Sequence, residues 1–152
     1  MIFTSHYKAI ENRLKEIPDL RQVRRYNTKL LADRNPQGHV VNSPMAMVEF
    51  DRWEAESFPG RGYQAYGMGT VRIHIISDYR DTEANLLAHD TICKEVYCKL
   101  NGYRARMSEA SGTLNDMRRL FNSLQMKVSA PPQELDRLLV TVMEFEGLMY
   151  GV

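Results

Sequence analysis

The sequence has little of what secreted and membrane proteins depend on. Its 152 residues include two cysteines, too few for a disulfide framework, so intracellular assembly is the expectation. No uninterrupted apolar run exceeds the four residues Met45–Val48, which excludes a membrane-spanning helix from the sequence pattern. Residues 1–8 lack the long apolar core of a signal peptide. Charge of one sign is missing as well. Twenty Lys and Arg stand against 19 Asp and Glu, a net of +1, which excludes a histone-like polycation and an acidic tail. No internal repeat or low-complexity segment occurs. What remains is 43% apolar and 26% charged, an ordinary globular composition. The length suits one domain spanning 1–152, large enough to bury a core without metal or disulfide.

Catalytic and metal-binding patterns are equally scarce. Cys93 and Cys98 lie about 140° apart around a helix, so they cannot face one metal, and Cys93 reads as a small core residue. The histidines His6, His39, His74 and His89 are scattered. His89-Asp90 matches a metal-phosphohydrolase dipeptide but lacks its partners, so His89 is expected on an exposed helix face. His74 is expected on the outer face of a strand, meeting solvent or a neighbouring subunit. Ser5-His6-Tyr7-Lys8 has the spacing of serine acylases, without a Lys-Thr-Gly or Ser-Asp-Asn partner. Gly67-Met68-Gly69 precedes a strand, whereas phosphate-cradling glycines follow one and open a helix. The expectation is no enzyme, no metal and no cofactor.

The elements can be read in order. Phe3, Tyr7, Ile10, Leu14 and Ile17 recur at spacings of 4, 3, 4 and 3, an amphipathic helix that Pro18 closes. Val23–Tyr26 could be a first edge strand, and turn signals make 27–44 a long loop or a poorly structured hairpin. Met45–Phe50 reads as a strand with Ala46, Val48 and Phe50 on one face, running to about Trp53. The glycine-rich stretch 54–69 reads as a loop. Thr70–Ile75 alternates, with Val71, Ile73 and Ile75 inward and Arg72 and His74 outward.

Asp78 and Asp81-Thr82 offer an N-cap for a helix of about 18 residues. Its expected stripe is Leu86, Cys93, Val96 and Leu100 beside Ile92, and Asn101-Gly102 stops it. Residues 103–116 read as irregular, while Leu124, Met126 and Val128 alternate with Gln125 and Lys127. Arg137–Phe145 reads as a central strand covered on both faces. The predicted fold is α+β: a small mixed or antiparallel sheet of about four strands packed with two α-helices, with long inter-strand loops.

Two kinds of surface stand out. Arg21, Arg24 and Arg25 beside Tyr26, Arg104 and Arg106 after Tyr103, and Arg118-Arg119 form basic clusters. Arginine interleaved with tyrosine is used at nucleic-acid surfaces, but also at protein interfaces and solvated strand edges. The near-zero net charge argues against a dedicated nucleic-acid binder. Trp53, Phe58, Tyr63 and Tyr66, with Arg61, flank or occupy the glycine-rich stretch as interface anchors. The plainer reading packs those aromatics back onto the sheet.

The whole pattern carries a resemblance. It comprises a helix Phe3–Ile17, an arginine-bearing segment, and Ser43–Phe50 as a proline-led strand beside an acid. Trp53, a glycine-rich loop with Gln64 and the strand Gly69–Ile76 follow. The helix 82–100, the stop Leu100-Asn101-Gly102, an arginine-bearing irregular stretch and the strand Val140–Phe145 complete it. Over nearly the full chain this order resembles the tail terminator (tail completion) proteins of tailed bacteriophages and prophages. The resemblance implies a non-catalytic hexameric ring at the head-proximal end of the tail. Such a ring caps the tail tube and joins it to the head connector. Its partners would be copies of itself, the tail tube protein and the connector or stopper, with incidental contact to DNA in the lumen. The place would be the virion tail or neck, after assembly in the host bacterial cytoplasm. Trp53, Phe58, Arg61, Tyr63, Gln64, Tyr66, Arg24, Arg25, Arg118 and Arg119 are the expected interface residues. Longer segments at 27–44 and 103–134, and Pro131-Pro132, depart from the family pattern. They leave open a neighbouring stopper or adaptor ring protein. A small nucleic-acid-binding α+β module is the reading from another class.

Overall fold

A computed structural model of the chain describes residues 3–27, 43–56, 65–80, 82–135 and 137–151. The amphipathic pattern at the start becomes α1 (Thr4–Leu14), which buries Ile10 and Leu14 together with His6 and Ala9. The expected helix end at Ile17 is corrected. Ile17 is buried, but it sits in a turn whose amide bonds back to Leu14, leaving clear of Pro18. Next comes β1 (Gln22–Arg25), and after it β2 (Met45–Ala55), β3 (Tyr66–Asp78) and α2 (Glu83–Leu100). Then follow β4 (Ala105–Arg106), α3 (Met107–Ser111), β5 (Arg119–Phe121), β6 (Gln125–Ser129), β7 (Gln133–Leu135) and β8 (Leu138–Tyr150).

This corrects the fold expectation. Among the described residues the chain is mostly sheet: eight strands in one mixed sheet, curled like half a barrel, with three helices. The sheet runs β1-β2-β3-β8-β5-β4, with β6 and β7 also paired to β8. Only β1 and β2 are parallel. The 13-residue β8 accounts for the discrepancy, because one of its edges pairs with β3 along its full length. Its other edge is shared by three short strands: β7 opposite Leu138–Val140, β6 opposite Met143–Glu146, and β5 at Met149. Strands of three to five residues are too short for a two-residue period to register in sequence. Residues 103–116, expected to be irregular, hold β4 and α3. The expectation that the last strand is covered on both faces is also corrected. Beyond Leu139 its buried residues alternate through Thr141, Met143, Phe145 and Met149.

The stretch 54–69 is not all loop either. Residues 54–55 extend β2, and Tyr66–Gly69 belong to β3, because glycine there makes room for close neighbours. A Cβ on Gly67 would collide with the Glu54 carbonyl, and one on Gly69 with the Met149 side chain.

One core fills the concave side. Val71, Ile73 and Ile75 of β3 meet Phe145 and Met149 of β8, closed over by α1 and by Ile92, Val96 and Leu100 of α2. A smaller cluster of Met45, Met47, Ile76 and Leu138 lies apart from it. The α2 stripe differs from expectation at two positions. Leu86 is 38% exposed, while His89 is buried at 1%. Thr82 is the N-cap, its hydroxyl accepting from the Asn85 amide at 3.2 Å, and Gly102 takes the left-handed φ of 80° after the last turn. The Gly102 amide then bonds the Leu124 carbonyl at 2.6 Å, tying the helix end to the entry of β6.

Candidate interaction surface

Alternation along the long strands sorts polar side chains onto the convex face. The register places Glu49 of β2, Arg72 of β3 and Glu144 of β8 in one row. A register irregularity between Phe50 and Arg52 brings Asp51 into reach as well. Arg72 therefore donates to three carboxylates: Nε to Glu144 Oε2 at 3.0 Å, and Nη1 to Glu49 Oε1 at 3.1 Å and Asp51 Oδ1 at 2.9 Å. The Glu144 hydrogen bond is the foremost cause that raises the Arg72 pKa further. His74 continues the row, with Nε2 3.1 Å from Glu49 Oε2 and its ring stacked 4.2 Å from that of Tyr26. Burial depresses its pKa in spite of Glu49, so the ring is neutral at pH 7. His74 thus faces a network within the chain as well as the outer side. One fixed cation among three carboxylates leaves this face acidic, and Glu146 beside it is 3.5 Å from Lys127.

The opposite end of the sheet is basic. Arg104, Arg106 and Arg119 line a cleft of about 170 Å³ with Glu109, Phe121 and Asn122. The Arg106 amide donates to Glu109 Oε2 at 3.0 Å, and its guanidinium reaches Met117 Sδ at 3.7 Å. Arg118 forks onto Asp116 at 3.1 and 2.9 Å, which braces the turn from α3 to β5. That turn holds Leu114 and Met117 in solvent, 88% and 57% exposed. Solvated leucines are common singly, but a pair on one braced turn beside arginines is what protein contacts use.

The sheet curls far enough that α1 lies between its two ends. Arg25 of β1 and Met107 of α3 line the same cleft of about 410 Å³, along with Tyr7, Lys8 and Glu11 of α1. The Arg25 guanidinium sits 4.6 Å over the Tyr7 ring. Burial, helped by Glu11, pushes the Tyr7 phenol up to about 12. A second cleft of about 250 Å³ opens beside β2, lined by Phe3, Tyr26, Val48 and Phe50 with Glu49 and Arg25 at its rim.

The expected interface residues are dispersed. Phe58, Arg61, Tyr63 and Gln64 lie outside the described residues, as does His39 and most of the 27–44 loop. Trp53 is half-buried: its indole donates to the Met149 carbonyl at 3.2 Å and meets Phe3 edge-on at 6.0 Å. Tyr66 is 38% exposed, with its ring 6.3 Å from that of Tyr150. Arg24 and Arg25 lie on β1, Arg118 and Arg119 at β5, toward the other end of the strand order. Leu114, Met117 and the acidic row were not singled out in sequence. The outward acids were visible as alternation, but their assembly around Arg72 depends on register.

The second surprise is internal. Expected on an exposed face, His89 instead bridges two strands: Nδ1 is 2.8 Å from Ser77 Oγ and Nε2 is 2.8 Å from Thr141 Oγ1. Burial lowers its pKa, so it is neutral and pins α2 to β3 and β8. Burial likewise raises the Cys93 thiol to about 11. No group of three or more His, Cys, Asp or Glu among the described residues is placed to hold a metal. No helix among them is long and apolar enough to cross a membrane.

No protein-family model matches the sequence, and no curated protein does. The fold, however, superimposes on a chain from the solved virion of the native gene transfer agent (GTA) particle, with a TM-score of 0.54 at 12% identity. The match covers 95% of this chain and 94% of that one, so the two share their fold from end to end.

Proposed function

We propose that this protein is a structural subunit of a phage-type virion. More finely, it forms a ring, most simply a hexamer, at the head-proximal end of the tail, where it caps the tail tube and meets the head connector. The observation that carries the reading is the end-to-end fold match to a chain of a gene transfer agent virion, 95% against 94% coverage. The surface chemistry supports it: an acidic convex face and a basic sheet end give each copy two unlike contact surfaces. Unlike surfaces produce head-to-tail contacts, which close into a ring when the rotation permits. Balanced total charge lets copies pack without strong mutual repulsion. Its partners in this role are further copies, the tube protein and the connector, and its place is the virion.

The test is direct. Purified protein added to polymerising tail tube protein from the same genome should cap the tubes and arrest their growth, with ring-shaped ends in electron micrographs. Tubes that grow unchanged, with the protein left in the supernatant, would contradict the tail-capping reading. Binding to the portal or connector alone would place the subunit elsewhere in the neck.

A further inference from the structure

We infer that the turn at residues 112–118 of one copy docks into the cleft beside β2 of the next copy, Leu114 entering between Phe3, Tyr26 and Phe50. The inference rests on the ring reading above and specifies which two surfaces meet.

The donor surface is an apolar knob on a braced turn. Leu114 is 88% and Met117 57% exposed, yet the turn is held by the Arg118–Asp116 fork and by the Asp116 amide bonding the Thr113 carbonyl at 3.1 Å. A rigid apolar projection forfeits little conformational freedom on docking, which is the property of an anchor. Beside it the Arg106 guanidinium reaches Met117 Sδ at 3.7 Å, and Arg106 shares with Arg104 and Arg119 a cleft whose one lining acid is Glu109.

The acceptor surface is the reverse in both respects. The cleft of about 250 Å³ is lined by Phe3, Tyr26, Val48 and Phe50, apolar and aromatic, with room for a leucine side chain; of the two charges at its rim, Arg25 is turned onto the Tyr7 ring at 4.6 Å. At its rim begins the acidic row of Glu49 and Asp51, where Arg72 is outnumbered by carboxylates. The backbone adds a further cue. β1 pairs with β2 only from Met45 to Val48, so among the described residues the β2 edge from Phe50 to Ala55 has no strand beside it. Apolar knob to apolar cleft, arginines to acids: the surfaces complement each other, and they lie on different parts of the molecule. Such a contact is heterologous, the kind a closed ring requires.

Disulfide trapping in the full chain tests it. In a Cys98→Ser background, removing the exposed thiol, Leu114→Cys and Arg52→Cys are made as separate proteins; both positions are exposed. Under mild oxidation the mixture should give cross-linked dimers and neither protein alone should. Leu114→Asp should weaken self-association by roughly tenfold or more while leaving the thermal midpoint of the dilute, dissociated monomer unchanged, because the side chain lies outside the core. Cross-linking of Leu114→Cys with itself would mean a twofold contact and overturn the inference. An intact oligomer with no cross-link in the mixture, or one unaffected by Leu114→Asp, would overturn this docking and leave the ring reading standing. A wild-type chain that is monomeric throughout would overturn both. Salt-sensitive binding of the wild-type protein to duplex DNA, lost in Arg104→Glu/Arg106→Glu with the oligomer intact, would assign the arginines to nucleic acid instead and also overturn it.

Discussion

Thr141→Val probes the buried bridge that sequence alone did not reveal. The substitution keeps the shape of the side chain but removes the hydroxyl 2.8 Å from His89 Nε2, at a residue only 3% exposed. Water cannot replace the lost partner without opening the contact between α2 and β8. A buried polar nitrogen left unsatisfied costs about 1–3 kcal/mol. For a protein of this size that corresponds to a fall in thermal midpoint of roughly 2–12 °C. The same bridge has a pH signature. Burial depresses the folded-state pKa of His89, so in the window between that lowered pKa and the ordinary histidine value of about 6.5 the folded protein binds fewer protons than the unfolded chain. Stability from this group is therefore complete above that value and lost as pH falls through the folded pKa, by at most about 1.4 kcal/mol per pH unit. His74 contributes in the same direction. Urea titrations of wild type, Thr141→Val and His89→Gln at a series of pH values from 7.5 downward read both effects. His89→Gln, which cannot titrate, should show a shallower loss of stability below pH 6.5 than wild type. A Thr141→Val protein within about 0.5 kcal/mol of wild type, or a His89→Gln protein with an undiminished pH slope, would refute the assignment.

The remaining predictions concern the sheet and its thiols. Gly69→Ala should cost about 1–3 kcal/mol by urea denaturation, since Met149 must rearrange, whereas Gly67→Ala, aimed at backbone, should be the more damaging of the two. Arg72→Met should destabilise by about 1–2 kcal/mol, because three carboxylates lose their common cation, and added salt should recover part of the loss in a thermal melt. Iodoacetamide at pH 8 should label Cys98 and spare Cys93, whose thiol is buried and raised to about 11; mass spectrometry of the digested protein reads the difference.

Local chemistry was legible and long-range pairing was not. The alternation of Val71, Ile73 and Ile75, the Thr82 cap and the Gly102 stop all follow from neighbours within a few residues, and each appears where the pattern places it. Gly67 and Gly69 misled because glycine ordinarily signals a turn, whereas here it answers the close approach of Glu54 and Met149. The short strands β5 to β7 each pair with β8, and nothing within three residues announces a partner so far along the chain. His89 illustrates the same limit. Its partners lie 12 and 52 residues away, so only the fold converts an apparently solvated histidine into a buried strut. On the surface, the arginine pairs were visible as clusters, but the exposed Leu114 and Met117 were not, because an apolar residue reads as core until its turn is seen.

Native mass spectrometry of the full chain over a range of micromolar concentrations tests the central claim most directly. A subunit with two unlike contact surfaces that closes into a ring gives one discrete oligomer, expected at six copies, in exchange with monomer and with no ladder of larger species. A strict monomer at every concentration, or an open-ended series of sizes, would contradict it.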